Sequence, residues 1–170
     1  MGVFFQFDDV DAFTTVTQGA PGQRVFFLYA RQGNISVAVK CEKQQVAAIA
    51  DFLRSAMADL EPSTELPRSL SFETPPPFEA AFVLGPIALG YDRENDRLLV
   101  QLEEVITVDE DGEPDEEAFD DRGQVRVLLQ RDQALAFCAH TESVVSAGRA
   151  PCAFCGRPME PNGHPCPTMN

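Results

Sequence analysis

Near the end of the chain four side chains have the types and spacing of a metal site. Cys152 and Cys155 form a Cys-x-x-Cys pair, and His164 and Cys166 follow eight and ten residues after Gly156. Two cysteines separated by two residues can put both sulfurs on one ion, and a glycine after the second permits the tight turn that aims backbone N–H groups at thiolates. Three thiolates and one imidazole complete a tetrahedral zinc sphere and leave no open position, so the expected zinc is structural rather than catalytic. A Cys-x-x-Cys pair also suits a redox dithiol or a disulfide. No strand–helix–strand pattern leads into it, nothing points to secretion, and neither alternative accounts for the Gly163-His164-Pro165-Cys166 element. A segment whose main apolar groups are Ala153, Phe154 and Met159 buries too little surface to order itself, and zinc would supply that free energy. Once ordered, it can clamp onto the end of the preceding helix or present Arg149 and Arg157.

Little else in the chain has the marks of catalysis. There is no Gly-x-Ser-x-Gly, no P-loop, no Gly-x-Gly-x-x-Gly and no His-Glu-x-x-His. Of two histidines one belongs to the zinc set. The other, His140, sits beside core positions of a helix with no nucleophile in view, so a structural role is expected. Cys138 has a helical core position and is expected to be a small buried apolar residue; Cys41 has no visible partner. Gly85-Pro86 and Gly19–Gly22 are turn signals. Eleven acids lie between Glu103 and Asp121 in a chain of net charge −14. That balance opposes nucleic-acid binding, which needs Lys and Arg against phosphate, and suits a basic partner. The acidic run lacks the alternating ligands of a calcium loop. A non-enzymatic protein-binding or regulatory module is expected. An enzyme or enzyme subunit of unknown reaction, and a zinc-knuckle nucleic-acid binder, are the alternatives.

These residues need a scaffold. At 170 residues with 44% hydrophobic and 24% charged content, the chain can bury a real core. No apolar run approaches the ~20 residues of a membrane helix, and the first residues lack a basic n-region, so a cytoplasmic protein is expected. Apolar runs at Val3–Phe7, Val25–Ala30, Ile35–Lys40, Phe82–Tyr91, Arg97–Val108 and Gln124–Gln130 predict strands. Arg31–Asn34 and Asp92–Asp96 predict hairpin turns between them. Apolar steps of three and four predict helices from Glu42 to Leu60 and from about Arg131 to Ala147, the second ending near Gly148 with Pro151 beyond. Residues 61–79, with Pro75-Pro76-Pro77, predict an exposed linker. A shift of 88 residues brings Val37, Val39, Gln45 and Ala48 onto Val125, Val127, Gln133 and Ala136. This points to two repeated halves, about 1–60 and 80–148, although any strand followed by an amphipathic helix would align as well. The expected fold is α+β: an antiparallel sheet with two helices on one face, residues 1–148, followed by a zinc knuckle at 149–170.

Pro21–Ala30, then Glu42–Ala48, then Gly148–Cys155 with Gly163-His164-x-Cys166-Pro167 resemble, in that order, an actinobacterial family of unknown function that includes the ParA-interacting protein ParJ. For the ParJ branch the resemblance implies a ParA-type ATPase as partner. It implies no enzymatic activity and no catalytic residues.

Overall fold

The computed structural model describes residues 2–20, 22–114, 116–147, 152–157, 159 and 164–168. The expected helix end at Gly148, along with Arg149, Pro151 and Gly163, lies outside them. Seven strands form one sheet: β1 (Phe4–Phe7), β2 (Ala12–Gln18), β3 (Val25–Gln32), β4 (Ile35–Cys41), β5 (Phe82–Asp92), β6 (Arg97–Glu104) and β7 (Gln124–Leu129). Helix α1 (Lys43–Ala58) follows β4, a short α2 (Glu116–Asp120) precedes β7, and α3 (Arg131–Ser146) follows it. The strand order is β1-β7-β6-β5-β4-β3-β2.

The fold is α+β as expected, but the sheet is mixed rather than antiparallel. Strand β1 runs parallel to β7, and β4 parallel to β5. For β4 and β5 the reason is the helix. A chain that leaves β4 and returns along α1 must enter its next strand in the direction of β4, so the join between two meanders is a parallel crossover.

The sheet cannot be flat. Its two outermost strands, β1 and β2, are consecutive and joined by Asp8–Asp11 alone. Five residue steps reach at most about 18 Å. Seven strands spaced ~4.8 Å apart would hold flat edges roughly 29 Å apart. The sheet therefore curls until β1 lies against β3, and its inner face wraps the helix pair. Val46, Ile49, Ala50 and Leu53 of α1, with Ala134, Phe137 and Cys138 of α3, join one buried cluster with Val37, Val39, Val100, Val125 and Val127 of the strands.

Each helix has 16 residues, and their first residues, Lys43 and Arg131, are 88 apart. The Cys138 thiol donates to the Ala50 carbonyl (3.4 Å), and one turn on Arg54 pairs with Glu142 (2.6 Å). Residues 88 apart thus face each other, and the helices run side by side in the same direction. At the first turn of α1, Gln45 Oε1 accepts from the Glu42 backbone N–H (2.8 Å) while its Nε2 donates to the Leu84 carbonyl at the start of β5 (3.3 Å). In α3, Gln133 Oε1 accepts from the Gln130 N–H (3.0 Å) and its Nε2 donates to the Val10 carbonyl just before β2 (3.1 Å). Each glutamine starts its own helix and grips the first strand of the other meander.

Two segments differ from expectation. Strand β2 was not signalled by hydrophobic alternation; its Phe13-Thr14-Thr15-Val16-Thr17 run is rich in β-branched residues instead. The proline-rich segment is not simply exposed. Leu70 joins the core, Arg68 pairs with Asp9 and Asp11, and Phe78 meets the Phe27 ring edge-on at 5.1 Å on the outer face. Strand β3 makes this cover necessary. Phe26–Ala30 are all buried, so both faces need a partner.

Gln133, 2% exposed, spends both ends of its amide. Gln133→Ala leaves a buried N–H and a buried carbonyl unpaired and is expected to cost about 2–4 kcal/mol. Gln45→Ala, at a half-buried position, should cost about 1 kcal/mol. Urea unfolding midpoints of the two variants check both values and their order.

Candidate metal centre

The Cys152 sulfur, the Cys155 sulfur, a His164 ring nitrogen and the Cys166 sulfur all lie within 4.8 Å of one another, so the four could hold one metal ion. Cys152 Sγ and Cys166 Sγ are 3.8 Å apart, and Cys155 Sγ is 3.3 Å from His164 Nε2. Local backbone chemistry sets this up. The Gly156 N–H donates to the Cys152 carbonyl (2.9 Å) and the Cys152 N–H to the Arg157 carbonyl (2.8 Å), closing a knuckle around the first pair. Gly156 takes φ +71°, a left-handed conformation that a side chain would resist. The Phe154 N–H approaches Cys152 Sγ at 3.4 Å, the amide-to-sulfur geometry that stabilises a thiolate. Thr168 Oγ1, 3.0 Å from Cys166 Sγ, is a partner the spacing of cysteines alone did not point to. Its hydrogen bond pulls the Cys166 thiol down to about 6. Cys152 is buried, and Phe154 and Arg157 are exposed.

The other two cysteines belong to the core. Burial pushes the Cys41 thiol up to about 12 and the Cys138 thiol to about 11, so both are inert at neutral pH. His140 has a structural setting. Its Nε2 is 3.2 Å from the Thr15 carbonyl, and its ring stacks on Phe72 at 4.6 Å. It pins α3 to β2 beside the buried Thr15–Thr141 hydroxyl pair (2.9 Å) and the Phe13–Phe137 stack (4.6 Å).

The acidic segment divides in two. Glu103 and Glu104 sit at the end of β6; Glu103 pairs with Arg122 (3.0 Å) and Glu104 accepts from the Gly123 N–H (2.8 Å). Beyond them Val105 passes against Gly85 of β5, where an added Cβ would lie 2.6 Å from the Val105 Cα. Gly85 and Pro86 fall at a bulge inside β5 rather than at a turn. Asp109 folds the next stretch by accepting from the Asp111 and Glu113 N–H groups (3.0 and 2.9 Å), and α2 follows. Asp109 is thereby committed to its own backbone.

Fold and site together define an α+β protein with a mixed, curled sheet and a C-terminal Cys/His cluster able to bind a metal ion. A family model described as "Protein of unknown function (DUF3090)" matches residues 5–166, and the chain belongs to that family. Compared with curated proteins and with solved structures, it has no match. No helix among the described residues is long and apolar enough to cross a membrane.

Thiol counting separates the two sets of cysteines. In native protein treated with chelator, the half-buried Cys155 and Cys166 should react fast with a thiol reagent at pH 8, the buried Cys152 slowly, and all five thiols after denaturation. Fast labelling of a fourth or fifth native thiol would contradict the burial of Cys41 and Cys138.

Proposed function

We propose that the protein is a non-enzymatic module that binds and regulates a protein partner, with residues 149–170 ordered by one structural zinc ion on Cys152, Cys155, His164 and Cys166. The observation that carries this reading is the spacing of the donors. Two sulfurs each about 2.3 Å from a tetrahedral zinc stand about 3.8 Å apart, and the Cys152–Cys166 separation is 3.8 Å. Four protein donors fill the coordination sphere, so such an ion has no position for a water nucleophile or a substrate. Its contribution is folding free energy for a segment with few apolar groups, on the order of 10–16 kcal/mol in isolated zinc fingers.

The division into a body (1–148) and a zinc-ordered segment (149–170) belongs to this reading. So does the origin of the body by duplication, which the matched α1 and α3 and their two glutamines support. A ParA-type ATPase is the partner we propose, on the resemblance to the ParJ-containing branch, and the cytoplasm the compartment. The charge of the chain favours a partner with a basic surface over nucleic acid.

Purified without chelator, the protein should carry one zinc per chain by elemental analysis. Cys152→Ser and Cys166→Ser should each lose it and leave the unfolding transition of the body in place, because the core cluster contains none of the four donors. Capture of a ParA-type ATPase by the full chain should fall in both variants. Protein without zinc, or variants that retain it, would overturn the metal reading; undiminished capture by the variants would remove the zinc-ordered segment from the interface.

A further inference from the structure

The N-terminal strand and the end of the acidic segment enclose a groove of about 450 Å³, lined by Phe4, Phe119, Asp120, Arg122 and Gln124 with Gly2 and Asp121 at one end. Two aromatic rings open into it, Phe4 at 59% and Phe119 at 46% exposure. Single exposed apolar side chains are ordinary, but two rings sharing one concavity mark a contact surface. We propose that this groove docks a Lys/Arg-rich segment of a partner protein, with one apolar side chain of that segment seated between Phe4 and Phe119. The proposal deepens the protein-binding reading above and rests on it.

The groove is built in a fixed register. The Gly2 N–H donates to Asp121 Oδ1 (3.1 Å), and the Gln124 N–H donates to the Val3 carbonyl (2.8 Å). The backbone at Gly2 abuts the segment so closely that an added Cβ would lie 2.1 Å from the Asp121 carbonyl oxygen. Strand β1 therefore holds Phe4 at a set place relative to α2, which carries Phe119. Arg122, the one cation among the described lining residues, is already engaged: it pairs with Glu103 and lies over the Phe119 ring at 4.6 Å. Its charge is thus met from within the chain.

Charge selects the occupant. Glu110, Asp111, Glu113, Glu116 and Asp120 are exposed on the same segment, within the run that holds eleven of the 27 acids of the chain. Nucleic acid and anionic lipid are repelled by that field, and so is a second copy of this chain, which would bring an identical acidic rim of its own. A basic segment is attracted, and its Lys or Arg groups can lie against the exposed Phe4 face as well as the carboxylates. The two components act on different rates. Carboxylates steer encounter and are screened by salt, whereas the aromatic groove holds the docked side chain and governs dissociation.

The test uses the full zinc-loaded chain and a short fluorescein-labelled peptide of Lys and Arg residues around one central Phe, followed by anisotropy and stopped flow. Replacing the peptide Phe by Ala should weaken binding about tenfold. The double variant Phe4→Ser/Phe119→Ser should do the same through faster dissociation, with the salt dependence unchanged. Glu110→Gln/Asp111→Asn/Glu116→Gln/Asp120→Asn should slow association about tenfold and flatten the salt dependence. Phe52→Ser, another exposed ring, on α1, should change nothing and controls for loss of surface apolarity. Equal binding of the Phe and Ala peptides, an unaffected double variant, or a Glu-rich counterpart that binds as well as the basic peptide would overturn the proposal. So would a self-dimer in light scattering that the Phe4→Ser/Phe119→Ser variant abolished. Failure here with continued capture of the ATPase by the full chain would remove the groove and leave the partner-binding reading standing; peptide binding without capture would do the reverse.

Discussion

Two amide side chains tie each long helix to the meander it does not follow. Gln45 and Gln133 occupy the same place in the first turn of α1 and α3, and each reaches out of its own helix to a backbone carbonyl at the beginning of a strand in the other half. Helix starts leave N–H groups unsatisfied, and a strand entering beside a helix brings a carbonyl with no ladder partner. One glutamine answers both needs, which is why a polar residue as buried as Gln133 is tolerated in an otherwise apolar core. With the edge strands β1 and β2 joined by four residues the sheet has to curve, and its inner face receives the two parallel helices.

The metal cluster sits apart from that logic. Its four donors come from one short stretch, and their geometry is made by local turns such as the one at Gly156. The sheet and its two long helices are held by contacts between residues far apart in sequence, and the cluster by contacts between near neighbours. A protein built in this way can change the surface presented by its end without disturbing its core.

That difference also decides what could be seen from the residues alone. Spacing made the Cys and His donors visible, and helical periodicity made α1 and α3 visible to within two residues at their ends. Direction in the sheet was not visible. Short hairpins are local, but the parallel pairings β4–β5 and β1–β7 join segments separated by dozens of residues, and no turn announces them. Strand β2 escaped because threonines stand where a hydrophobic pattern would be sought, yet Thr14, Thr15 and Thr141 are buried and paired. The prolines of 61–79 signalled a chain without regular structure, correctly, but irregular backbone can still carry a Phe78 onto an apolar face that the sheet leaves bare.

Strand β1 has a consequence for the order in which the protein assembles. Among the described residues its ladder partner is β7, more than a hundred residues later in the chain. During synthesis, which runs at about 5–20 residues per second, β2, β3 and β4 can close their meander from neighbouring segments while β1 waits. Of the seven strands β1 is thus made first and placed last, and Gly2 docks onto Asp121 only once the acidic segment has emerged. Completion of the sheet, and with it the groove between Phe4 and Phe119, reports that the body has been made through to its final strand.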